Sequence, residues 1–154
     1  MFCKAILEEG AMAVLAAAKE IAEPKAHHTR AAVVGDLAVI HLTRHRSTEN
    51  VDIYLGGTML PSFLKRELPR FNRAFTVNHE VVNGVTYRSP SFKIIIPVDL
   101  INIDTQFDVQ APLLSKFRTS NLPWATRDDL ILMKAIGASE RECESGRYQD
   151  VNDT

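Results

Sequence analysis

Asn50 and Asp52 stand two apart in the segment Arg46-Ser47-Thr48-Glu49-Asn50-Val51-Asp52-Ile53. Side chains alternate along a strand, so residues at i and i+2 share one face. Two oxygen-bearing side chains aimed from one face suit a hard divalent cation such as Mg2+ or Mn2+. A cation so placed assists in-line displacement at phosphorus. Asp99, in Val98-Asp99-Leu100-Ile101, offers a further carboxylate, and Asp104 takes the same role if that strand runs longer. Upstream, Val34-Gly35-Asp36-Leu37 reads as strand end, turn and helix start. Backbone N–H groups at such a place can face a phosphate.

These residues need a frame. The stretch 4–22 is rich in Ala, Leu and Glu, lacks proline and stops before Pro24, which predicts a helix. Ala31 to Val34 predicts a buried strand, with Asp36 capping a helix over Leu37 to Leu42. Val51 to Leu55 is β-prone and ends at Gly56-Gly57. Pro61 to Leu68 predicts a helix with proline in its first turn. Phe75-Thr76-Val77 and Val85-Thr86-Tyr87 flank Asn83-Gly84 as a hairpin. Phe92 to Ile101 is the strongest strand, and its apolar run fits a central place. Pro97 within it donates no ladder bond, which predicts an edge position or a bulge there. The stretch 104–123 reads as a loop, and Thr126 as the cap of a helix with Asp128 and Asp129 in its first turn.

The chain has 154 residues, enough for a single domain with one core, and it is 45% hydrophobic and 24% charged, a globular balance. The net charge of −1 gives no broad attraction to nucleic acid, so no nucleic-acid partner is expected. Two cysteines, Cys3 and Cys143, make no disulfide framework or metal motif, and a reduced, cytoplasmic compartment is the expectation. The apolar run Ala11 to Ala18 is too short to span a bilayer and has acidic Glu8 and Glu9 upstream. An amphipathic first helix is expected there, with no membrane partner.

Val34-Gly35-Asp36-Leu37-Ala38-Val39, followed by Arg46 to Ile53, resembles the nucleotidyltransferase-like superfamily. Within it, the chain is most similar to small-domain proteins grouped with bacterial AbiEii-type toxins and their fungal relatives. The pattern there is Gly-Gly-x-Ala, a short helix, then Arg-x-Thr-x-Asp-hydrophobic-Asp. Val98 to Ile101 resembles the strand that supplies a third carboxylate, and 129–134 and 147–151 resemble the family's C-terminal helical part. The resemblance implies an α/β (α+β) fold with a mixed sheet flanked by helices. It implies a single domain over 1–154, with an N-terminal helix in 1–24, the core with the metal-motif strands in 31–102 and the helical part in 126–154. It further implies transfer of a nucleoside monophosphate from an NTP to a hydroxyl acceptor. Asp52, Asp99 and Asn50 would hold Mg2+ or Mn2+, and Gly35, Asp36, Arg46, Thr48 and Lys134 would meet the nucleotide.

Two departures from the family pattern carry chemical weight. Asp36 replaces the second turn glycine and brings negative charge towards a triphosphate. Asn50 replaces the first acid of the metal pair and ligates, if at all, through a neutral carbonyl oxygen. They motivate an alternative: a catalytically degenerate relative that binds a ligand or partner, or a site recruited for other small-metabolite chemistry. Other residues have ordinary structural readings beside the functional ones. Arg46 pairs equally well with a strand carboxylate, Thr48 suits a local turn, and Lys134 an exposed helix face. His41 and His45 lie at i and i+4 without a recognisable metal motif. Lys65, Arg66, Arg70 and Arg73 form a local basic surface. A homodimer covering an apolar surface beside the last helix is a further expectation.

Overall fold

The structure, a computed structural model, describes residues 3–23, 25–43, 48–102 and 111–133. Helix α1 (Lys4–Ala22) comes first, followed by a short 3-10 turn, strand β1 (Thr29–Val34) and helix α2 (Gly35–Thr43). Strand β2 (Val51–Gly57), helix α3 (Pro61–Phe71), strands β3 (Phe75–Asn78) and β4 (Gly84–Arg88) and strand β5 (Ile95–Ile101) follow. The strands form one sheet in the order β1-β2-β5-β4-β3. β2 and β5 are parallel, and the other neighbours are antiparallel. The chain is therefore an α+β protein with a mixed sheet, as expected.

Alternation along the strands sorts the sheet into two faces. Val33, Val51, Ile53, Leu55, Ile96, Val98 and Leu100 join the main core with Leu7, Val14 and Leu15 of α1 and Leu64 and Leu68 of α3. Full burial of one such side chain contributes about 1.5–3 kcal/mol. Gly10 lets α1 lie close to the sheet: a Cβ there would meet Ile96 at 3.2 Å. The other face carries Ala32, Val34 and Tyr54, packed with Ala38 of α2, Ala125 and Leu130. Asp52 and Asp99 belong to this second face, because their neighbours Val51, Ile53, Val98 and Leu100 point into the main core.

β5 is the middle strand, so the edge position predicted from Pro97 is wrong. The Leu100 N–H bonds to Asn83 on the β4 side. Alternation then turns the Pro97 nitrogen towards β2, whose pairing with β5 begins only at Val51↔Val98. The missing donor falls where no neighbour has yet started.

The segment after 110 is irregular, yet it is docked. The Ala31 N–H donates to Pro112 O, the Val33 N–H to Pro123 O, and the Ala125 N–H to Val33 O. The outer edge of β1 is thereby paired along part of its length, which closes one exposed sheet edge. His41 of α2 stacks on Trp124 with ring centroids 3.9 Å apart, and Lys4 Nζ lies 3.1 Å from His41 Nδ1. These contacts tie α2 to α1 and to the docked segment. Thr126 caps the helical residues 127–133, its Oγ1 accepting from the Asp129 N–H at 3.1 Å. The rest of the expected C-terminal helical part lies outside the described residues. Among the described residues no helix is long and apolar enough to cross a membrane.

Candidate functional site

Three loci converge at one end of the second face. β1 ends at Val34, which pairs with Asp52, and the chain turns at Gly35 into α2. Gly35 has φ +67, and a Cβ on it would run into the Asp52 carboxylate. Glycine is required there twice over, for its left-handed backbone and for the close approach of the acid. On the far side of β2, Asp52 is the register partner of Asp99 on β5. In a parallel pair both side chains then project from the same face, side by side.

Asn50 completes the group. Its Nδ2 donates to Asp52 Oδ1 at 3.3 Å and to Asp99 Oδ2 at 3.1 Å. Its Oδ1 accepts from the Thr48 hydroxyl at 3.2 Å. Thr48 is buried, and its hydroxyl also lies within reach of the Asn50 backbone. Thr48 thus acts as the local turn residue that sets Asn50 in place, rather than as a group facing outward. Asp36 sits inside the first turn of α2, not outside it as a cap.

Negative charge accumulates here. The Asp52 carboxyl is pushed up to about 7, first by burial, then by the charges of Asp99 and Asp36, and by a hydrogen bond to Asp99. Asp99 is raised by burial as well, but hydrogen bonds from Asn50 and Asp52 pull it back. The two acids share a hydrogen bond and titrate as a coupled pair, with both held above the ordinary carboxylate range.

Asn50, Asp52 and Asp99 are thus joined by hydrogen bonds, with Gly35 against Asp52, the Asp36 charge acting on it and Thr48 holding Asn50 from behind. Arg46, Lys134 and Asp104 lie outside the described residues. The basic residues of α3 belong elsewhere, since Leu64 and Leu68 seat that helix on the opposite face of the sheet. Lys65 bonds to the carbonyls of Val81 and Val82, and Arg70 pairs with Glu67. A cavity of about 440 Å³ between the end of α1 and the start of α3 is lined by Ile21, Met59, Leu60, Phe63 and Arg66. It opens beside Thr58, at the other end of β2 from Asp52.

Among the described residues, no three His, Cys, Asp or Glu side chains are grouped to hold a metal ion. The site offers two carboxylates and one carboxamide. All three can present oxygen, the donor that Mg2+ and Mn2+ take. The excess negative charge on the pair is what a dication offsets. As donor chemistry the set fits a divalent cation, with one fewer anionic ligand than an Asp-x-Asp strand would supply. No protein-family model, curated protein or solved structure matches this chain.

Proposed function

We propose that this chain is a nucleotidyltransferase-like protein that takes a nucleoside triphosphate with a divalent cation at Asp52, Asp99 and Asn50 and transfers its nucleoside monophosphate to a hydroxyl acceptor. One observation carries the reading: Asp52 and Asp99 are in register on adjacent parallel strands, beside a glycine turn that opens a helix. In the transfer the acceptor oxygen bonds to the α-phosphorus and the bond to the pyrophosphate oxygen breaks. The hydroxyl proton passes to a carboxylate of the pair or to water. A bound cation would supply charge neutralisation and alignment of the phosphate oxygens. Gly35 brings the turn backbone against Asp52, so phosphate and carboxylates would share one small volume. Asp36 repels a bare triphosphate, so the nucleotide must arrive with its cation.

The test is incubation with NTPs labelled at the α-phosphate, with Mg2+ or Mn2+, in the presence of candidate acceptors. The expected result is label transfer and pyrophosphate release that Asp52→Ala abolishes. A second reading is favoured by Asn50 and Asp36: a degenerate site that binds metal–nucleotide without transferring it. Saturable nucleotide binding with no label transfer to any acceptor distinguishes it. Absence of nucleotide binding contradicts both.

A further inference from the structure

We propose that Asn50 is a reversible carboxamide switch, whose NH2 end stands in for a cation between Asp52 and Asp99 and turns away when a divalent cation takes that place. The proposal rests on the cation site of the preceding section and adds how Asn50 regulates access to it. A carboxamide has two ends of nearly equal shape and opposite polarity. Rotation about Cβ–Cγ exchanges them without moving the backbone or changing the volume filled. With the carboxylates alone, the NH2 end is the favourable one, and it reaches both acids, at 3.3 and 3.1 Å. A dication repels those N–H dipoles and attracts the carbonyl oxygen.

Thr48 makes the turn inexpensive. At present its hydroxyl donates to Asn50 Oδ1 at 3.2 Å. A hydroxyl both donates and accepts, so after the turn it accepts from Nδ2 at the same place. Neither orientation leaves the inner end of the carboxamide unbonded, although Thr48 is nearly out of water at 7% exposure. Aspartate would bring a third negative charge and no donor, and alanine would bring neither end. The cost of the arrangement is affinity, because the cation must displace two hydrogen bonds and gains only a neutral ligand.

The experiment is a Mg2+ titration of the full chain followed by NMR, with the Asn50 side-chain NH2 pair assigned from its loss in Asn50→Asp. In the metal-free protein the pair should show Overhauser contacts to the Asp99 β-protons. With Mg2+ these should fade and contacts to Thr48 should replace them, in step with saturating shifts of the Gly35 and Asp52 backbone amides. Asn50→Asp should bind Mg2+ about tenfold or more tightly, since it exchanges a competing donor for a charge. Saturating backbone shifts with unchanged Asn50 contacts to Asp99 would overturn the switch and leave the cation site standing. No saturable response in either the natural protein or Asn50→Asp would overturn the site itself, and the switch with it.

Discussion

Asp52 and Asp99 stand abreast on neighbouring parallel strands, and one Asn50 amide donates to both. Two half-buried acids placed side by side do not both ionise at no cost. Much of what can be tested follows from that cost.

Asp52 should make the fold pH-sensitive. Its folded value of about 7 lies above the ordinary 3.8, so the folded state holds a proton that the unfolded chain releases. Stability attached to this group is fully present below about pH 4 and declines as pH rises towards 7. With about 1.4 kcal/mol per unit, and allowing for the water that reaches the group, the loss is about 2–4 kcal/mol. Asp52→Asn removes it. Urea unfolding in the presence of chelator should show the variant gaining on the natural protein between acid and neutral pH. Parallel stability curves would contradict the assignment.

Gly35→Ala should lower stability by about 2 kcal/mol or more, since the left-handed backbone and the overlap with Asp52 add. Asp52→Ala should relieve the overlap and leave the backbone penalty, so the double variant recovers part of the loss. A double-mutant cycle with purely additive terms would show that the two residues do not touch.

How far the site was legible follows from the same residues. The shared face of Asn50 and Asp52 is legible because strand alternation is local, and the turn at Gly35 because glycine ends a short apolar run. That Asp99 would lie abreast of Asp52, rather than a pair of residues further along, depends on strand register set by the packed core. Pro97 misled because a sequence does not say which side of a strand a nitrogen faces. The cover on the outer edge of β1 was invisible for another reason: residues 111–125 have no periodicity, and their role rests on backbone bonds to Ala31 and Val33. Thr48 has both a nucleotide-facing and a turn reading in the sequence, and its grip on the Asn50 side chain appears only in three dimensions.

That covered edge makes its own prediction. The Ala31 and Val33 amides, although on an outer strand, should exchange with solvent as slowly as those of β5, because each donates to the docked segment. Fast exchange at both would show that the segment does not stay in place.

Asn50→Asp should behave oppositely with and without metal. Alone, a third carboxylate beside Asp52 and Asp99 adds repulsion and should lower the melting temperature. With Mn2+ the variant should be stabilised more than the natural protein, because tighter binding to the folded state contributes more by mass action. Equal metal-induced shifts in the two proteins would argue that position 50 does not meet the cation.

The most direct measurement is calorimetric titration of the protein with Mn2+–nucleoside triphosphate, beside Asp52→Ala and Asp99→Ala. The predicted result is saturable binding by the natural protein that both variants weaken by about tenfold or more, in keeping with loss of one of two anionic ligands. Binding of the same strength in all three, or no saturable binding by the natural protein, would contradict the assignment of Asp52 and Asp99 to a metal–nucleotide site.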